Sequence, residues 1–175
     1  MKIALGNGLK KAKQLENEVQ KLRGLRKEVS TVSYINLDGS DILEHETTVY
    51  DTTLEILDKQ MAIRYLRYVV AKANLETIIP FGDTEITLAE ALTMLPQKLT
   101  EVSDFSTLAN RRPIEKENFN RYSSAPNVQY TKVTYDISTA KMRLKELEEQ
   151  VLMLRNAIDK ANISNFIEVP DEYLM

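Results

Sequence analysis

The stretch DISTAKMRLKELEEQVLMLRNAIDKAN, residues 136–162, decides the fold. Ile137, Ala140, Leu144, Leu147, Val151, Leu154, Ile158 and Ala161 recur in it at alternating steps of three and four. On a 3.6-residue helix that spacing gathers them into one narrow stripe, with lysine, arginine and glutamate on the remaining faces. The pattern predicts a single helix over about 137–162 carrying a strict heptad seam. A helix so patterned must bury its stripe against another element.

Working outward, three more segments carry the same signal. Leu5, Ala12, Leu15, Val19, Leu22 and Val29 predict a helix over about 5–29, with Arg26 interrupting the stripe. Gly24 should weaken its last turn by about 1 kcal/mol. Lys10, Lys11, Lys13, Lys21, Arg23 and Lys27 make this helix basic. A helix over about 51–75 carries two stripes: Leu54, Leu57, Met61, Tyr65, Tyr68 and Leu75, then Ile56, Ile63 and Val70. Two apolar stripes predict cover on more than one side, in a bundle or at a subunit interface. The helix over about 87–110 shows Leu88, Leu92, Leu95, Leu99, Val102 and Leu108, with Thr87 and Glu90 at capping-box spacing. Pro96 inside it should kink or split it.

Two inserts break the helical pattern, at 30–50 and 111–136. Val32, Tyr34 and Ile35 favour a strand and Asp38-Gly39 a turn, with a second strand near Thr47–Tyr50. His45, between Glu44 and Glu46, reads as a surface cluster, because adjacent strand residues diverge. NVQYTKVTYD, residues 127–136, alternates as a strand does and is expected to pair with Val32–Ile35. The tail ISNFIEVPDEYLM reads as extended. The fold class is mainly α: one domain over 1–175, a long antiparallel helical bundle or coiled coil with a small β element, strands near 31–36 and 128–135. Persistent seams favour a homo-oligomer, a dimer or closed ring.

Composition narrows the function classes. Of 175 residues, 43% are hydrophobic and 28% charged, which fits a folded protein rather than a disordered one. A net charge of −3 argues against a general binder of duplex nucleic acid, which needs a basic face. Without cysteine there is neither thiolate catalysis nor a sulfur-ligated zinc site, which suits a cytoplasmic protein. No apolar run approaches the roughly 18 residues of a membrane span. Neither GNG nor FGD continues into a phosphate-binding GK[ST] motif, and ELEEQ, residues 146–150, lacks the histidine of a carboxylate metal site. No metal and no cofactor is implied, and the reading leans against an enzyme.

One stretch resists a scaffold reading. NRRPIEKENFNRYSS, residues 110–124, places Arg111, Arg112 and Arg121 around a proline-broken loop, with Phe119 and Tyr122 between them. Arg111 and Arg112 end the third helix, where cations meet the negative end of the helix dipole; that alone is a sufficient structural reason for them. A planar guanidinium also grips phosphate or carboxylate through two parallel hydrogen bonds. Tyr122, Phe119 or Tyr130 could stack on a base while Ser123 and Ser124 add hydroxyls. The candidate ligand-binding set is Arg111, Arg112, Arg121, Tyr122, Ser123 and Tyr130.

MKIAL, AKANLETI, ITLAEAL, NRYSS, KVTYD and LRNAIDKAN follow one another along the whole chain. In that order they resemble a small bacterial and phage family of helical proteins, some of which carry the label septicolysin. The resemblance implies a helical bundle and a family whose biochemical role is unsettled. The label suggests a pore-forming toxin, which the absence of an export signal and of a membrane segment opposes. Two functions then compete. One is a non-catalytic oligomer capturing a small anionic, nucleotide-like ligand between subunits, in the manner of phage sponges for immune nucleotides, in the host cytoplasm if phage-encoded. The other is a structural or adaptor coiled coil without a small-molecule ligand. Nucleotide hydrolysis is a third and weakest reading.

Overall fold

The computed structural model describes residues 1–32, 46–116 and 130–174. In chain order the elements are β1 (Lys2–Ala4), α1 (Leu5–Glu28), α2 (Val49–Glu76), β2 (Ile78–Phe81), β3 (Thr84–Thr87), α3 (Leu88–Ala109), β4 (Ile114–Lys116), β5 (Tyr130–Lys132), α4 (Ile137–Ser164), β6 (Phe166–Glu168) and a 3₁₀ turn (Asp171–Tyr173). The described chain is mainly helical with small two-stranded sheets, and its four helices fall within two residues of the expected limits. The expected strand over 33–36, the turn at Asp38-Gly39 and His45 lie outside the described residues.

Two compact units divide the chain: Met1–Ile78 with Thr87–Ala89 and Asp159–Met175, and Ile79–Ile86 with Glu90–Ile158. In the first, α1 and α2 pack antiparallel, since Arg26 reaches Thr53, Glu18 meets Lys59 and Glu16 meets Arg67. The α1 stripe does what its spacing predicts: Leu5, Ala12, Leu15 and Val19 are buried. On α2 the buried side is Thr52, Ile56, Ala62, Leu66 and Val70, the second of the two predicted stripes widened by its neighbours. The strand expected near Thr47–Tyr50 is instead the start of α2. Thr48 Oγ1 accepts from Asp51 N at 3.1 Å while Asp51 Oδ2 accepts from Thr48 N at 3.3 Å, a reciprocal cap that outweighs the β preference of Val49. The tail expected to be extended is so only in part: Ile163 and Ser164 finish α4 and Asp171–Tyr173 form the 3₁₀ turn, while β6 between them pairs antiparallel with β1 in the register Ile3↔Ile167.

Glu18 and Lys59 make the best-enclosed ion pair in the first unit, at 2.8 Å with side chains 31% and 21% exposed. Their mutual hydrogen bond is the main reason the Glu18 carboxyl sits below its ordinary 4.5 and the Lys59 ammonium above its ordinary 10.5. The carboxylate's contribution is whole above about pH 4.5 and fades as acid passes its lowered folded pKa. The ammonium's is whole below about pH 10.5 and is lost as alkali passes its raised folded pKa. Glu18→Gln should cost about 1 kcal/mol in urea titrations at neutral pH, solvent screening included, and nearly nothing once acid has protonated the wild-type carboxyl.

The second unit is built on the seam that opened the sequence reading. Ala140, Leu147, Val151, Leu154 and Ile158 of α4 are all buried. Asp136 starts this helix by accepting from Ser138 N at 2.9 Å and Thr139 Oγ1 at 2.8 Å, which hold its carboxyl below the usual range. Of the two outcomes expected at Pro96, the split does not occur: α3 runs as one element across it, with Thr100 Oγ1 donating to Pro96 O at 3.1 Å. Of its expected apolar stripe, Leu88 is fully buried and Leu95, Val102 and Leu108 are half-buried, whereas Leu92 and Leu99 are exposed and Ala91 and Ala109 are buried beside the stripe. A further element was not expected: β2 and β3 form a hairpin around Gly82, whose φ of 59° suits a residue without Cβ.

Candidate functional site

The arginine pair stands where α3 stops. Asn110 closes the last turn, its backbone N–H reaching Ser106 O at 3.2 Å and its side-chain Nδ2 reaching the same oxygen at 2.9 Å. Leu108 O accepts from Arg111 N at 3.3 Å and from Tyr135 Oη at 2.7 Å. Backbone, Asn110 and Tyr135 thus cap these carbonyls, and the guanidinium groups of Arg111 and Arg112 take no part in the bonds.

Pro113 then turns the chain into β4, which pairs antiparallel with β5. The register sets Ile114 opposite Lys132, Glu115 opposite Thr131 and Lys116 opposite Tyr130, and Val133 N extends the ladder to Pro113 O at 3.1 Å. β5 thus pairs with β4; of its expected partner Val32–Ile35 only Val32 is described, and it lies outside any strand. Loop closure favours that outcome, since β4 is much closer in sequence.

The ribbon and the end of α3 form a cleft of about 380 Å³. Among the described residues its walls carry Arg111 and Arg112 from the helix end, Lys116 from β4 and Lys132 from β5, with Glu115 as the single carboxylate. Among the described residues no ion pair engages any of those four cations. Opposite strands present cross-paired side chains on a common face, so Lys116 and Lys132 belong to one side of the ribbon. Four cations against one anion among the described lining residues give this open concave site, at the small end of the ligand-pocket range, a local excess of positive charge. Two other hollows have the opposite character. One is walled by Glu55, Asp58 and Glu172, with Lys59 already held by Glu18; the other, beside the Gly82 turn, by Glu146 and Glu149.

Of the residues expected to bind, Arg111 and Arg112 line the cleft together. Tyr130 stands directly across from Lys116, 61% exposed, and does not itself line the cleft. Arg121, Tyr122 and Ser123, with Phe119 and Ser124, lie outside the described residues. Lys116 and Lys132 were missed by the sequence reading. Their signal was the pair of short runs IEK and YTK, which share a face only once the ribbon register is known.

Comparison with protein families and with curated proteins finds no match to this chain. Among solved structures it is similar to a functionally unknown conserved protein from Corynebacterium diphtheriae. That likeness has a TM-score of 0.65 at 18% identity, covering 96% of this chain and 100% of that one. The two chains share a fold from end to end. Among the described residues no helix is long and apolar enough to cross a membrane.

Proposed function

We propose that this protein is a non-catalytic, oligomeric binder that captures a small anionic, nucleotide-like ligand at the α3–β4–β5 cleft. The observation that carries the reading is the convergence of Arg111, Arg112, Lys116 and Lys132 on one concavity, unengaged by any carboxylate among the described residues. Like charges repel, so a cluster held without counter-charge costs stability and calls for a compensating ligand. Guanidinium and ammonium groups are donors only, suited to gripping phosphate oxygens rather than to moving protons. The sequence between Lys116 and Tyr130 adds Arg121, Tyr122 and Ser123 to the binding set, with the ring of Tyr122 as a surface for a base. The neighbouring subunit completes the pocket in this reading. Such a protein would act in the cytoplasm, and a phage-encoded one as a sponge for immune nucleotide signals.

The test is a thermal-shift panel of cyclic nucleotides, ADP-ribose and pyrophosphate. A bound member at a hundredfold excess over its Kd should stabilise by about 2.7 kcal/mol, raising Tm by roughly 5–10 °C. Arg111→Ala with Arg112→Ala should erase the rise while leaving the unliganded Tm in place, since both side chains are exposed. Arg121→Ala should do the same. A panel in which nothing moves the wild-type Tm overturns the reading and leaves an adaptor coiled coil as the alternative.

A further inference from the structure

The first α2 stripe faces outward except at Tyr65, whose ring centroid lies 5.0 Å from that of Tyr173, and with Tyr50 it follows a heptad. Tyr50, Leu54, Leu57, Met61, Tyr68 and Leu75 are between 43% and 70% exposed, while the opposite side of the same helix is buried. Arg64 and Ala71, also exposed, fill the two remaining core positions of the repeat. The repeat therefore spans residues 50 to 75, about 38 Å of helix, with Arg64 as its one charged core position. Six apolar side chains so exposed offer on the order of 600 Å² per copy, near the roughly 800 Å² each partner contributes to a standard interface.

Charge selects the occupant. The first half of α2 carries Asp51, Glu55 and Asp58 against Lys59, and the second half Arg64, Arg67 and Lys72 against Glu76. One half is net negative by two and the other net positive by two. A second copy of α2 laid antiparallel sets each half against its opposite, whereas a parallel copy sets like on like. We infer that α2 pairs with α2 of a second copy as an antiparallel two-fold coiled coil. The heptad then fixes the register: Leu54 meets Ala71 of the second copy, Leu57 meets Tyr68, Tyr50 meets Leu75, and Met61 meets Arg64 beside the axis. Asp58 and Arg64, which have no ion-pair partner among the described residues, come within reach of one another across the axis. This deepens the oligomeric part of the functional reading by naming the face that joins two copies, and it is measured without nucleotide. Its failure therefore leaves the cation cleft standing, and a silent nucleotide panel leaves the dimer standing.

Sedimentation of the full chain should show a dimer that Leu57→Glu weakens at least tenfold with its helical circular dichroism unchanged. Asp58→Arg should weaken it too, and Asp58→Arg combined with Arg64→Asp should restore it. The chain lacks cysteine, so single cysteines report orientation without background. Met61→Cys, beside the axis, should cross-link copy to copy through a short bismaleimide. Leu54→Cys should not, because the two positions lie about 25 Å apart along antiparallel helices. A monomer at all concentrations, a dimer indifferent to Leu57→Glu, or ready cross-linking through Leu54→Cys would each overturn the inference.

Discussion

Gly8→Val should lower Tm by roughly 6–12 °C, the consequence of about 3 kcal/mol lost to overpacking. Gly8 lies on the buried side of α1, where a Cβ would come within 2.6 Å of Ile167 Cδ1 and 3.0 Å of Val70 Cγ2. That point joins three elements: α1, α2 through Val70, and β6 through Ile167. Rotating the tip of Ile167 can relieve the first contact for alanine, but valine brings two further methyls into a space already filled. Helix propensity pulls the other way by only a few tenths of a kcal/mol, too little to offset the clash. Gly24 supplies the contrast on the same helix. Nothing lies within 4 Å of its added Cβ, so Gly24→Ala should stabilise by about 0.5–1 kcal/mol. Thermal unfolding of the pair separates the cost of close approach from the cost of glycine itself. Equal shifts for both variants would mean that α1 does not approach α2 and β6 as closely as described.

Why α4 was legible and the ribbons were not comes down to how much sequence each feature occupies. A heptad seam repeats its signal eight times in α4, so one ambiguous residue cannot hide it. The same redundancy placed α1 and both stripes of α2, although only packing could say which stripe faces inward. The hairpin of β2 and β3 rests on four residues a side and one Gly-Asp turn, and Pro80 in its first strand reads as a helix terminator instead. β1 and β6 are three residues each and lie at opposite ends of the chain, so neither announces the other locally. At the cleft, Arg111 and Arg112 stand out because they adjoin a proline at a helix end. Lys116 and Lys132 are ordinary lysines until β4 and β5 pair and bring them to one face. On α3 the leucine spacing found the inward side at Leu88, Leu95, Val102 and Leu108 but drew the stripe too wide, since Leu92 and Leu99 at its edge are exposed while Ala91 and Ala109 are buried.

Lys116→Glu combined with Lys132→Glu should weaken capture of an anionic nucleotide by roughly 100-fold or more, because like-charge juxtaposition costs several kcal/mol and each 1.4 kcal/mol is tenfold. Among its described lining residues the wild-type cleft sets four cations against Glu115, and the two reversals turn their net charge of plus three into minus one. Both lysines are exposed, so the folded state loses no packing. The direction of the stability change is the informative part. A cation cluster kept for a ligand is a strain on the empty protein, and removing it should leave the unliganded Tm unchanged or raised. Lysines kept to stabilise the ribbon would instead lower Tm when reversed. Wild-type capture should also weaken with salt, since the screening length falls from about 10 Å at 0.1 M to about 3 Å at 1 M, and the variant's residual binding should be nearly indifferent to it. Calorimetric titration at two salt concentrations, with a melting curve of each empty protein, reads both effects. Undiminished affinity in the double variant would place the anion elsewhere. A lowered Tm with unchanged affinity would return the lysines to scaffold and the arginines to a helix end.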